Sequence, residues 1–342
     1  MAFNLRSRDL LKISDFTREE LNYLIDLGIH LKKQHHTGVT TERLKGKSIC
    51  IMFQKTSTRT RCSFETAAFE LGMGCTYIDS SSSQFGTKES IADTARVLSR
   101  FYDGIEFRGF KQSDVEELAK YATVPVWNGL TDESHPTQMI ADMMTIKEWF
   151  GHLSGIKLVF LGDGRFNMGN SLMVTCAKLG LDYVLCGPKK YWPKKDLIEQ
   201  CRKWCKKSGG SVTMTEDKME AVEGANVIYT DIWVSMGEPF EVWDERIKLM
   251  KPYQVDMETM LHAEKTATLS PIFMHCLPAY HGLDTAVGVE VAKQFGKKYK
   301  EVKGGELEVT DEVFNSRFSF VFDEAENRLH SIKAIILATI GI

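Results

Sequence analysis

Residues 48–61 read Ser48-Ile-Cys-Ile-Met-Phe53, then Gln54-Lys-Thr56, then Ser57-Thr-Arg-Thr-Arg61. The first six form an apolar run of strand length. Further on, Phe64, Ala67, Ala68 and Leu71 recur at i, i+3, i+4 and i+7, one face of a helix. A strand feeding a helix puts residues 57–61 at the helix N-terminus. Backbone N–H groups and the positive end of the helix dipole point outward there, which favours an anion such as phosphate. Ser57, Thr58 and Thr60 add hydroxyls, and Arg59 and Arg61 add planar forks that match phosphate oxygens. The competing expectation is a hydroxyl cap flanked by solvated arginines.

Short apolar runs alternate with helical spacing along the rest of the chain. Strands are expected at 48–53, 76–79, 104–108 and 124–127, then at 157–161, 183–186, 227–230 and 272–276. The intervening stretches carry helical patterns; Ile91, Ala95, Leu98 and Phe101 are one. Such alternation implies parallel sheets covered by helices on both faces. A chain of 342 residues exceeds one ordinary core, so two domains are expected. A helix from about Thr137 to Phe150, closed by Gly151, separates four strands from four. The expected class is α/β: two doubly wound parallel-sheet domains, with the active site in the cleft between them. Their expected limits are 1–150 plus 327–342, and 151–326. The basic, glycine-punctuated stretch 293–306 reads as a surface loop. The apolar tail with Leu329, Ile332, Ile335, Ile336 and Ile340 reads as a buried closing helix.

Composition narrows the function. A net charge of −3 gives no polyanion footprint, which argues against nucleic acid. Eight cysteines lack metal-ligand spacing; Cys201 and Cys205 are four apart with no second pair or nearby histidine. Reduced thiols in a cytoplasm are the simplest reading. The first ten residues hold no long apolar stretch, so neither a signal nor a transit peptide is expected. No run is long enough for a membrane span.

Ligands in open α/β sheets bind beyond the carboxyl ends of strands. Polar residues there form a consistent set. Arg108 ends Gly104-Ile-Glu-Phe-Arg108, and His135-Pro-Thr-Gln138 opens the long helix. Together they offer donors for a carbonyl oxygen and an acceptor for an amide. Leu161-Gly-Asp-Gly-Arg-Phe-Asn-Met-Gly169 looks at first like a dinucleotide fingerprint. Its third glycine falls at 169 rather than 167, and the next strand ends without an acid for a ribose, so nicotinamide is disfavoured. Asn167 remains as an amide at a helix start. Asp231, after the strand ending Tyr229-Thr230, is placed to hold an ammonium, beside a Ser235-Met236-Gly237 loop. His275-Cys-Leu-Pro278 ends the last strand. Adjacent residues on a strand face opposite ways, so a catalytic His275–Cys276 dyad is not expected. Cys276 reads as a thiol lining the site.

These motifs, in this order, resemble the aspartate/ornithine carbamoyltransferase family, from the first residues to Asn327-Arg-Leu-His330. Ser57-Thr-Arg-Thr-Arg61 with His135-Pro-Thr-Gln138 resembles the half that the whole family shares. Asp231, Ser235-Met236-Gly237 and His275-Cys-Leu-Pro278 resemble its ornithine-using branch. The resemblance implies transfer of the carbamoyl group of carbamoyl phosphate to the side-chain amine of L-ornithine, without metal, organic cofactor or covalent intermediate. It implies Ser57, Thr58, Arg59, Thr60 and Arg108 at the phosphate, with Arg328 beside the leaving group. It implies Arg108, Thr60 and His135 at the carbonyl oxygen, and Gln138 at the carbamoyl amine. Asn167 would meet the ornithine carboxylate; Asp231, Ser235 and Met236 would form the rest of that site. Cys276 and the Leu277 carbonyl would surround the attacking amine next to the carbamoyl group. Gln84, in 80–88, matches a loop that reaches a neighbouring subunit's site, which implies a homotrimer or an assembly of trimers. Two stretches depart from the family: Ala279-Tyr-His-Gly282, and a longer basic loop at 297–303.

Other readings are a carbamoyltransferase for putrescine, one for aspartate, and a non-catalytic sensor on the same fold. Putrescine lacks the carboxylate that Asn167 would meet. An aspartate enzyme would read His-Pro-Leu-Pro in place of His275-Cys-Leu-Pro278. A sensor would have no need of His135 and Arg108. Physiological direction and cooperativity are not legible.

Overall fold

The structure is a computed structural model and describes residues 4–39, 42–79, 85, 88–234 and 240–341. Gln84, Ser235 and Met236 lie outside the described residues.

The chain divides into two compact units, one of residues up to Gly151 together with Ala325 onward, the other His152–Glu324. The first holds β1 (Ser48–Phe53), β2 (Gly74–Asp79), β3 (Gly104–Arg108) and β4 (Val126–Leu130). They form one sheet in the order β2-β1-β3-β4, every pair parallel. The second holds β5 (Lys157–Leu161), β6 (Asp182–Cys186), β7 (Ser211–Thr215), β8 (Val227–Thr230) and β9 (Ile272–His275). Their order is β7-β6-β5-β8-β9, again all parallel.

In both sheets the first strand in sequence has a neighbour on each side, so successive connections leave in opposite directions. Such a reversal opens a crevice beyond the carboxyl ends of the two strands involved. In the first sheet these are β1 and β3, where Phe53 pairs with Arg108. In the second they are β5 and β8, where Leu161 pairs with Thr230.

Burial follows the pattern of the strands. Cys50 and Met52 of β1 join Ile105, Phe107 and Val126 in a core cluster closed by Ala95, Leu98, Val115 and Leu118 from helices Ile91–Phe101 and Gln112–Tyr121. In the second unit Val159, Leu161, Ile228 and Phe273 meet Val255, Met260, Val309 and Phe318. The helix Pro136–Phe150 carries Pro136 in its first turn, and Gly151 ends it at φ 79, a backbone angle that favours glycine. The terminal helix is Val321–Ile340, and Trp127 donates to Thr339 Oγ1 within it at 3.0 Å.

Three expectations need correction. The second sheet has five strands: β7 escapes the pattern because it is an edge strand, in which only Val212 is buried. The stretch 293–306 is more than a surface loop. Helix Ala286–Phe295 covers its start, and Tyr299 and Val302 are buried against Trp243, Ile247 and Leu307. Phe101, counted on the helical face, is 67% exposed while Ala95 and Leu98 are buried. In the departing stretch 279–282, the His281 ring stacks on Phe314 at 3.7 Å and its Nδ1 lies 2.7 Å from Asp311.

Glu324, 1% exposed, joins two strands of the second sheet. Its Oε1 accepts from the Tyr229 hydroxyl at 2.8 Å and its Oε2 from the His275 amide at 2.9 Å. Glu324→Ala leaves two fully buried donors without these acceptors, at roughly 1–3 kcal/mol each. Urea denaturation should show a loss of about 2–6 kcal/mol. A loss below about 1 kcal/mol would mean that the pocket rearranges to satisfy both groups.

Candidate active site

Ser57 caps the helix Thr58–Glu70 in extended backbone conformation, its hydroxyl accepting from the Thr60 amide at 3.3 Å. Capping is therefore realised and holds Thr60 one turn inside the helix. The buried Thr60 hydroxyl accepts from Arg108 Nη1 at 3.4 Å and Arg328 Nη2 at 3.3 Å. Arg328 Nη1 also donates to Gln138 Oε1 at 3.0 Å, and Gln138 Nε2 donates to Asp142 Oδ1 at 2.8 Å. The chain thus brings the end of β3, two helix starts and the terminal helix to one place in the first unit. Arg328 comes from far along the sequence, yet it belongs to this cluster.

His135 precedes Pro136, and a residue before proline is driven out of helical conformation. It stands at φ −134, ψ 66, outside the helix it introduces, and it is buried. Burial first, then the charges of Arg328, Arg108 and Arg59, holds its imidazole well below the usual range. A neutral imidazole donates a hydrogen bond from one nitrogen without adding a fourth cation.

Arg61 goes elsewhere, which corrects the expectation of two phosphate-facing forks. Its guanidinium lies 3.8 Å from the Tyr77 ring centre and its Nε donates to Glu65 at 3.0 Å. An i,i+4 partner on the exposed helix face captures it.

Sequence reading missed Glu106. It is fully buried in β3, and burial pushes its carboxyl well above the usual range against the pull of Arg108 and Arg328. Room for it comes from Gly129, where a Cβ would lie 1.8 Å from Glu106 Oε1. The β3–β4 register skips this glycine, pairing Phe107 with Asn128 and Arg108 with Leu130. The available signal was one acid inside an otherwise apolar strand.

In the second unit, Asn167 opens the helix Asn167–Leu179 beyond β5. The glycines before it serve close packing. A Cβ on Gly169 would lie 2.5 Å from Gly164 Cα, and one on Gly187 would lie 2.4 Å from the Gly162 carbonyl. Asp163 is engaged by Arg165 at 2.6 Å and by Arg246. These contacts explain the glycine spacing without a dinucleotide.

Asp231 lies one residue beyond β8 and Cys276 one beyond β9, on neighbouring strands whose ends, Thr230 and His275, are paired. Asp231 Oδ1 accepts from the Ile232 amide at 2.8 Å and lies 3.4 Å from Cys276 Sγ. Burial pushes this carboxyl above its ordinary value. An ammonium placed against it would supply the charge that burial demands. His275 and Cys276 do not diverge as expected: a His275 ring nitrogen, Cys276 Sγ and an Asp231 carboxylate oxygen lie within 4.8 Å of one another, because Cys276 is one residue beyond the end of β9 and outside the strand pleat. The His275 ring is buried, with Nε2 3.2 Å from Glu308 and Nδ1 accepting from the Leu277 amide at 2.9 Å. That amide bond holds Leu277 at φ 55, a region side chains other than glycine rarely enter. His275 therefore shapes the loop that carries Cys276 and the Leu277 carbonyl.

Residues 8–148 match the family model described as aspartate/ornithine carbamoyltransferase, carbamoyl-P binding domain, and residues 154–339 match its Asp/Orn binding domain. The chain belongs to the aspartate/ornithine carbamoyltransferase family. It is similar to a protein named "Ornithine carbamoyltransferase, catabolic" from Treponema denticola, 55% identical over 99% of this chain and 97% of that one. A protein of the same name from Haemophilus influenzae is 53% identical over the full length of both. The solved structure of ornithine carbamoyltransferase from Pyrococcus furiosus is 42% identical, covers 99% of each chain and superposes with a TM-score of 0.87.

The state of His135 is testable. Its folded pKa lies below its unfolded value of about 6.5, so the unfolded chain takes up the proton first on acidification. Stability is then lost as pH falls from about 6.5 toward the folded value. Between pH 7 and 5, the native protein should lose more stability in urea denaturation than His135→Asn. Equal losses would mean that the folded histidine protonates normally.

Proposed function

We propose that this chain is a transferase moving the carbamoyl group of carbamoyl phosphate to the side-chain amine of L-ornithine, giving L-citrulline and phosphate. One observation carries the reading. Thr60 at a helix N-terminus gathers Arg108 and Arg328, and the charge of Arg59 reaches the neutral His135 as theirs does. Several cations and one uncharged donor, against the buried Glu106 and an Asp142 engaged by Gln138, suit a phosphate joined to a carbonyl.

On this reading Ser57, Thr58, Arg59, Thr60 and Arg108 hold the phosphate. Arg108, Thr60 and His135 donate to the carbonyl oxygen, where negative charge grows as the tetrahedral intermediate forms. Gln138, its carbonyl oriented by Arg328, accepts from the carbamoyl amine. In the second unit Asn167 takes the ornithine carboxylate, and Asp231 with Ser235 and Met236 holds the α-ammonium end. Cys276 and the Leu277 carbonyl surround the side-chain amine.

The amine attacks only after its ammonium gives one proton to solvent, since an ammonium has no lone pair. Its nitrogen then bonds to the carbamoyl carbon, the bond from that carbon to the phosphate oxygen breaks, and the departing phosphate takes the remaining excess proton from nitrogen. No enzyme nucleophile is required. Positioning two reactants and stabilising the oxyanion supply the rate. The designation "catabolic" of the Treponema and Haemophilus relatives supports a role in arginine breakdown, in which citrulline is split by phosphate.

We extend the reading to a homotrimer in the cytoplasm, or an assembly of trimers, with Gln84 reaching the neighbouring site. The resemblance of 80–88 to a family loop supports the trimer. The free cysteines support a reducing compartment. No helix among the described residues is long and apolar enough to cross a membrane.

Citrulline formation measured with ornithine, putrescine and aspartate side by side tests the substrate. Ornithine should be preferred by orders of magnitude. Asp231→Asn removes the half-buried carboxylate and leaves the bound ammonium unpaired, a loss of roughly 3–5 kcal/mol. It should lower kcat/KM for ornithine by roughly two to four orders of magnitude, while carbamoyl phosphate still binds. A native preference for putrescine would replace this reading with the putrescine one. Light scattering on the purified protein should give a mass that is a multiple of three chains, and an active monomer would overturn the role given to Gln84.

A further inference from the structure

A second cluster of ligating side chains lies in the first unit, apart from the residues assigned to the reaction. The helix Arg18–His36 starts at a capping box, Thr17 with Glu20, and its final residue is His36. The terminal helix places Glu326 and His330 four residues apart, on one face. His36 Nε2 lies 2.8 Å from Glu326 Oε1, and His330 Nε2 lies 3.4 Å from the same oxygen. One donor atom from each residue falls within 4.8 Å of the others. Four ligands held at about 2.0–2.1 Å around a tetrahedral ion stand about 3.3 Å apart, which the two nitrogen–oxygen distances bracket, while the pair of ring nitrogens, within 4.8 Å, would draw in around the ion.

As a hydrogen-bond network the cluster is unfinished. Two imidazoles compete for one carboxylate oxygen, one contact is long, and His330 Nδ1 is buried without a partner among the described residues. The surrounding charges leave room for a cation. Lys32 lies 3.1 Å from Glu148 and 3.7 Å from Glu326 Oε2, and Lys333 pairs with Glu70, which His35 also meets at 3.1 Å. Glu70, Glu148 and Glu326 are three carboxylates against the two ammonium groups. The His36 side chain is 57% exposed and that of Glu326 38%, which opens a path to solvent and a fourth position for water.

We propose that His36, Glu326 and His330 bind one borderline divalent cation of the zinc, cobalt or nickel kind, which clips the end of the helix Arg18–His36 to the terminal helix. Two imidazoles and one carboxylate are the donor set such ions take. The ion's role is structural: it ties the first long helix of the unit to the helix that closes it. Among the described residues, the other cluster of this type, Asp231, His275 and Cys276, belongs to the site already described.

The test uses the full-length protein, stripped with a chelator and titrated with Co2+. A tetrahedral nitrogen and oxygen site gives visible ligand-field bands, whereas binding at Cys276 adds a near-ultraviolet thiolate band. The native chain should bind one Co2+ with visible bands that persist when Cys276 is replaced by serine. His36→Ala and Glu326→Gln should each weaken this binding at least tenfold. His35→Ala, which removes a neighbouring ring outside the set, should not. Added Zn2+ should raise the thermal midpoint of the native chain and not that of His36→Ala, with citrulline formation by His36→Ala unchanged in the absence of metal. Co2+ bands confined to the thiolate type, or equal affinity in His36→Ala and the native chain, would overturn the proposal.

Discussion

Parallel strands cannot be joined by tight turns, and the rest of this molecule follows from that constraint. Each strand must be followed by a crossover, and here helices supply most of them. Every strand therefore ends on the same edge of its sheet, and polar segments collect there. Where the direction of the crossovers reverses, beyond β1 and β3 and beyond β5 and β8, the connections part. Ser57–Thr60 and Arg108 flank the first reversal, and Asn167 and Asp231 the second. Charged side chains thus sit where the fold cannot bury them in a hydrophobic layer.

The electrostatics of the two places are opposite, as the proposed phosphate and ammonium would require. The first concentrates guanidinium groups and keeps His135 neutral, with the buried Glu106 pushed toward its protonated form. It lacks negative charge, which a phosphate supplies. The second keeps one acid, Asp231, half-buried beside a thiol and lacks positive charge, which an ammonium supplies. On the proposed function, neither arrangement is at its electrostatic optimum without its ligand, and that imbalance would drive recognition.

Supporting residues set these groups in place. His275 takes no assigned part in the chemistry, but its Nδ1 holds the Leu277 amide, and Glu324 and Glu308 hold His275. The terminal helix does the same for the first unit: Arg328 orients Gln138 and Thr60, and Asn327 donates to Thr145 and Glu148. One turn of this helix, 326–330, thus serves both the anion site and the histidine cluster.

The class of fold, nearly all strands and the placement of most candidate site residues are determined by local sequence, because each rests on spacing within a short window. An apolar run followed by a helical face is enough to place Ser57 and Thr60; a strand end is enough to place Arg108, Asp231 and Cys276; a proline is enough to place His135. Tertiary structure decided what depends on distant partners. β7 has too little burial to announce itself, since an edge strand packs on few neighbours. Arg59 and Arg61 look alike in sequence, and only the position of Glu65 and Tyr77 sends Arg61 away from the anion site. Glu106 gains its meaning from Gly129, Arg108 and Arg328 together. His36 and His330 stand 294 positions apart in sequence, and they meet because the chain returns to its first unit to close it.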